Sequence, residues 1–166
     1  MSNKITKVSN ELIEFLNEFE SFSSKPYLCP SKVPTIGYGT TFYFDTKKHV
    51  TLKDKPISEK EALRLKLGHI NSIFIPLVDK LTRDDLNQNE FDAVVSFVYN
   101  AGATYRNSKG EVKYYNIFHN VNNCMTGNEL IKYWTSLAVT GGGKKLNGLV
   151  RRREREVQIY LNAKYK

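Results

Sequence analysis

The sequence predicts an α+β chain: a small antiparallel sheet lobe at about residues 20–57, a larger helical lobe at about 77–166, and a long helix joining them. Three observations carry this. Between residues 26 and 52 the prolines and the β-branched and aromatic residues cluster and helical periodicity is lost. On both sides of that stretch apolar residues recur at helical spacing. Runs of strands followed by runs of helices segregate into an α+β arrangement. No internal repeat, low-complexity tract or linker divides the 166 residues, so the expectation is one domain, 1–166, with 40% hydrophobic residues available for a core.

Leu12, Ile13, Phe15, Leu16 and Phe19 predict a first helix from about Asn10 to Phe19 or Glu20, with Ser9 or Asn10 as its cap, and it counts with the helical lobe. Pro26, Pro30 and Pro34 then exclude regular helix, and a short twisted sheet is expected from about Tyr27 to Leu52. Ser58 and Glu61 read as a capping box opening the long helix, which should kink or end near Ile75 because Pro76 lacks the amide hydrogen the ladder needs. Asn87 with Glu90, and Leu86 stapling Phe91, open a helix that Gly102 ends. Asn107 to Gly110 is a turn between short extended pieces, followed by a short helix near Tyr115 to Val121. Asn128 to Leu137 is helical and Gly141 to Gly143 a flexible loop. Leu149 to Ala163 is a final helix with Val150, Val157, Tyr160 and Leu161 facing inward.

The net charge of +8 implies attraction to polyanions: nucleic acid, lipid, or an anionic cell wall. Cys29 and Cys124 do not make a disulfide framework, and His49, His69 and His119 lack the paired spacing of a zinc site. Gly141 to Gly143 lacks the phosphate-loop pattern, so no cofactor is expected. No apolar run has the length of a signal core or a membrane span. The expectations are therefore synthesis in a cytoplasm, no stable membrane association, and a monomer.

The chemistry concentrates between Glu20 and Thr41, where a carboxylate, the Cys29 thiol and the Thr35 hydroxyl fall close together before Ile36-Gly37-Tyr38-Gly39. Glycoside hydrolysis needs a carboxylic acid held protonated beside the leaving oxygen. Glu20 falls at the end of the first helix, where the terminal carbonyls disfavour a second anion and push its pKa up, while an arginine of Arg151 to Arg153 would pull the other way. Taken singly, each residue has a plainer reading: a solvated helix-end glutamate, a small buried cysteine, a strand threonine.

Together, ESFSSKPYLCPSKVPTIGYGTT, LNQNEFDAVVSFVYNAG and NGLVRRREREVQIYL, with Trp134 upstream of the last, resemble the bacteriophage lysozymes of glycoside hydrolase family 24, in order and over nearly the whole chain. The resemblance implies a lysozyme-like fold. It also implies a muramidase that cuts the β-1,4 bond between N-acetylmuramic acid and N-acetylglucosamine in peptidoglycan, and an endolysin released to the wall through a holin-like membrane pore. It assigns Glu20 as proton donor, Thr35 as the hydroxyl that helps place water, and Cys29 as the residue between them, where many members have aspartate. Tyr38 is a candidate for stacking on a sugar, and Asn100 matches a polar substrate-contact position. Thr40 stands where the family usually has histidine, Ser21 where it has glycine, and the segment from Tyr105 to Tyr114 is longer than typical.

The rival signal is basic. Lys144, Lys145, Arg151, Arg152, Arg153, Arg155, Lys164 and Lys166 stand against only Glu154 and Glu156, as on a non-catalytic nucleic-acid-binding or wall-binding module. No helix-turn-helix, zinc or RNA-binding signature accompanies them, so no nucleic-acid partner is expected. Trp134 reads as core rather than as a sugar platform.

Overall fold

The computed structural model describes residues 4–29 and 31–166, so the helix-breaking role expected of Pro30 lies outside the described residues. The chain forms two compact units, Glu14–Phe74 and, from two segments, Met1–Ile13 with Ile75–Lys166. It passes from one unit to the other inside helical segments, at residues 13–14 and 74–75.

In the first unit, helix α1 (Asn10–Glu18) brings in Phe15 and Leu16, which are fully buried. Strand β1 (Ser23–Leu28) pairs antiparallel with β2 (Pro34–Gly37), matching Tyr27 with Thr35 and Leu28 with Pro34, and a bulge falls between Ser23 and Tyr27. The sheet is smaller than the expected span to Leu52. Beyond β2, only the bridges Ile36↔Thr40 and Phe42↔His49 continue it among the described residues. The reason is local: Gly37 and Gly39 turn the chain back at positive φ, and side chains take over the backbone groups further on, with Asp54 accepting from Thr51 and Tyr43.

Helix α2 (Glu59–His69) starts on Ser58, whose hydroxyl accepts from the Glu61 N–H at 3.1 Å. The expected reciprocal half of the capping box is replaced, because the Glu61 carboxylate binds Arg64 at 2.7 and 2.8 Å. The long helix is interrupted ahead of Pro76 and continues to Leu81, the short continuation expected of Leu77 to Leu81. Residues Ile70–Phe74 widen into a π-helical turn and α3 (Ile75–Leu81) follows directly. A π-turn directly ahead of the proline is a known way to absorb a disturbed ladder.

The second unit is built around α4 (Gln88–Ala101), in which every residue from Phe91 to Val98 is buried. A helix apolar on all sides belongs at a centre, and α7 (Asn147–Asn162) packs on it together with α6 (Gly127–Ser136). Asn87 and Glu90 form the full capping box, and Gly102 ends α4 at φ 78°. Asp92, 0% exposed, accepts from Ser9 and Tyr165 hydroxyls at 2.5 and 2.7 Å and so ties both chain ends to α4.

Strands β3 (Thr104–Arg106) and β4 (Val112–Tyr114) form the hairpin expected around Asn107 to Gly110, and α5 (Ile117–Asn122) follows. Within the glycine loop, Gly142 and Gly143 at positive φ make the two-residue turn of a hairpin between β5 (Thr140–Gly141) and β6 (Lys144–Lys145). The inward face of α7 also differs from expectation. Val157 and Tyr160 are buried, Val150 and Leu161 only half so, and Arg152, Arg153, Glu156 and Ile159 occupy the interior instead. Hydrophobic periodicity alone does not anticipate a charged core. It is tolerated because the charges satisfy one another.

Candidate active site

The apolar face of α1 ends at Phe19, and the chain leaves the helix through long backbone bonds, Phe19 N to Leu16 O at 3.3 Å and Glu20 N to Asn17 O at 3.4 Å. Glu20 is therefore half-buried just past the helix, on a turn only loosely closed by its own backbone. The Tyr38-Gly39 turn lies against it. A Cβ at Gly39 would stand 3.4 Å from Glu20 Oε2, and the Gly39 φ of +86° is one that side chains rarely adopt, so glycine brings the main chain close to the carboxylate.

Cys29 follows β1 directly, half-buried, with its N–H donating to Val33 O at 3.1 Å. The thiol is held below its ordinary value. The Val33 N–H is the largest cause, and the Ser31 N–H and hydroxyl add to it against the opposing effect of partial burial. Hydrogen bonds of that kind favour a thiolate. Thr35 is 2% exposed and its hydroxyl donates to Val33 O at 2.9 Å, so its side chain supports the Cys29 loop from beneath. Tyr27 faces Thr35 across the hairpin, and its hydroxyl is pushed up by burial and then by the charges of both Glu20 and Cys29. Tyr27, a residue that sequence reasoning took only for strand, thus pairs with Thr35 across the hairpin and feels the charges of Glu20 and Cys29.

Tyr38, in the same unit, is 8% exposed, and its hydroxyl donates to Glu59 Oε1 at 2.5 Å while its ring meets Phe22. Asn100 belongs to the other unit. It is exposed at the end of α4, and its side-chain oxygen accepts from Arg153 Nη2.

Behind Asn100 lies a buried cluster. Glu156, 0% exposed, accepts from Ser96 Oγ at 2.8 Å, Trp134 Nε1 at 3.2 Å and Arg152 Nε at 3.2 Å, and pairs with Arg153 Nη1 at 2.8 Å. Burial pushes the Arg153 pKa down, and the Glu156 charge opposes that shift. Two of the eight cations of the basic run are thereby in the core, so the run is not one continuous surface stripe. Trp134 is 0% exposed, as core.

Lys66 was also missed. The signal was available, since Lys66 falls one helical turn after Ala62, on the buried face of α2 with Leu65 and His69. Among the described residues no group of three or more His, Cys, Asp or Glu could hold a metal ion, and no helix is long and apolar enough to cross a membrane.

Comparison with known proteins adds to this geometry. The family model for phage lysozyme matches residues 17–156. The endolysin of Bacillus phage B103 is 34% identical over 161 residues, covering 96% of this chain and 56% of its own length. That of Lactococcus phage c2 is 30% identical over 159 residues, covering 93% of this chain and 60% of its own. The chain therefore spans somewhat more than half of these relatives. Among solved structures, the endolysin from Escherichia coli O157:H7 phage FAHEc1 superposes with a TM-score of 0.76 at 27% identity over 96% of both chains.

Proposed function

This chain belongs to the phage lysozyme family, and we propose that it is a muramidase that hydrolyses the β-1,4 bond between N-acetylmuramic acid and N-acetylglucosamine in peptidoglycan. The observation that carries the reading is the hairpin that pairs Tyr27 with Thr35 and closes the Cys29 loop on Val33, with the Glu20 carboxylate against the Gly39 turn of the same unit. Glu20 is the general acid that protonates the leaving oxygen as the sugar develops positive charge. Cys29, its thiol held towards the anionic form, supplies the opposing negative charge, by attack at the anomeric carbon or by holding the water that attacks. Thr35, nearly without exposure, acts through Cys29. Tyr38 and Asn100 are the proposed substrate contacts, with the Tyr38 hydroxyl already engaged by Glu59 and Asn100 oriented by Arg153.

The reading takes residues 1–166 as one catalytic domain, monomeric and without cofactor, made in the host cytoplasm and reaching the wall through a holin-like pore. The net charge of +8 favours an anionic wall as the partner over a neutral glycan. The deciding experiment is turnover of purified peptidoglycan by Glu20→Gln. The amide is nearly isosteric but cannot donate the proton, so turnover should fall by about two orders of magnitude or more with circular dichroism unchanged. Retention of more than about a tenth of the wild-type rate would remove Glu20 as the acid.

A further inference from the structure

We propose that Lys66 is a positioning residue for Glu20, an inference that rests on the muramidase reading. Its side chain is 1% exposed, at a place in α2 where helical spacing calls for an apolar residue. Burying an ammonium costs more than burying methionine or leucine of similar volume, so the lysine needs an account beyond packing. Its contacts supply one. Nζ donates to Asn17 Oδ1 at 2.8 Å and lies 5.3 Å from the centre of the Tyr38 ring.

These two contacts fall on the two backbone segments that flank the carboxylate. Asn17 is the residue whose carbonyl accepts the Glu20 N–H, and Tyr38 directly precedes Gly39, against which the Glu20 carboxylate rests. The turn that carries Glu20 is closed by bonds of 3.3 and 3.4 Å, weak for an amide, so its geometry depends on side-chain support. Lys66 provides that support from inside the unit, joining the last turn of α1 to the glycine turn with one cation. It touches no substrate; it acts through Asn17 and Tyr38. A displacement on the order of 1 Å at a reacting group is enough to cost about 100-fold in rate, which is the scale on which such a tie matters.

The test is the pair Lys66→Met and Lys66→Arg, with Asn17→Leu cutting the same tie from its other end. Lys66→Met should lower kcat by about tenfold or more, with a smaller change in KM through Tyr38, because the main loss is in placement of the acid. Its thermal midpoint should be unchanged or higher, since an apolar side chain replaces a buried charge. A displaced acid sits in a different environment, so the alkaline limb of the kcat/KM profile should also move. Lys66→Arg should restore both kcat and profile, and Asn17→Leu should reproduce the Lys66→Met loss. Wild-type kcat and profile in Lys66→Met, or a kcat loss that tracks a falling thermal midpoint in both Lys66→Met and Asn17→Leu, overturns the inference. Failure of the muramidase reading is separate: it shows as retained turnover in Glu20→Gln, whatever Lys66 does.

Discussion

Replacing Glu156 with glutamine leaves two buried guanidiniums facing an amide. Arg152 and Arg153 are 3% and 0% exposed; Arg152 Nε donates to the Glu156 carboxylate at 3.2 Å, and Arg153 Nη1 stands in an ion pair with it at 2.8 Å. Ser96 and Trp134 donate to the same two oxygens. Glutamine keeps one acceptor oxygen. In either flip, its NH2 faces one of the two arginines and one of the two neutral donors, and the negative charge is gone. Breaking a buried ion pair by removing one partner costs about 3–5 kcal/mol. At about 2–4 °C per kcal/mol for a chain of this size, the thermal midpoint of Glu156→Gln should fall by about 6–20 °C. Scanning calorimetry measures it directly. The companion triple variant Arg152→Met, Arg153→Leu, Glu156→Leu removes all three charges and should recover most of the loss, because an apolar set leaves no charge uncompensated. A fall of less than about 3 °C in Glu156→Gln, or a triple variant no better than the single one, would mean that these groups are solvated and that the charged core is not what holds α7 to α4.

Two further outcomes are expected. With Cys124→Ser as background, Cys29→Asp should keep substantial turnover, because the N–H and hydroxyl groups around the thiol suit a carboxylate; Cys29→Ala should lose about tenfold or more, and a thiol-alkylating reagent should inhibit the parent but not the Asp variant. Full activity in Cys29→Ala would take Cys29 out of the chemistry. His69, 8% exposed with Nε2 unpartnered in the interior, is pushed below its ordinary value of 6.5 chiefly by burial, against a hydrogen bond to the Phe42 backbone. A depressed histidine means that the unfolded chain binds the proton more readily. Its share of stability is therefore complete above pH 6.5 and is lost as pH falls from there towards the folded value. Denaturant melts from pH 7 to 5 should show that decline, and His69→Leu should flatten it; an unchanged slope in the variant would refute the assignment.

The local elements were determined by sequence alone where the signal is local. The Asn87 to Glu90 capping box, the Gly102 stop and the Asn107 to Gly110 turn each depend on residues within a few positions of one another, and each stands as read. The return of Thr35 past the Cys29 loop was legible for a similar reason: a short hairpin of contiguous residues carries it. Tertiary structure alone decided what the charges do. Helical periodicity marks which face of α7 or α2 is inward, but it assigns inward positions to apolar residues. Arg152, Arg153 and Glu156 pair with one another within α7, and groups distant in sequence complete the buried sites: Ser96 and Trp134 for Glu156, Asn100 for Arg153, Asn17 for Lys66. Burying a charge is costly unless it is paired and hydrogen-bonded; Glu156 pairs with Arg152 and Arg153 on its own helix, but the polar groups that complete these sites lie 22 to 60 residues away, beyond the reach of any local pattern.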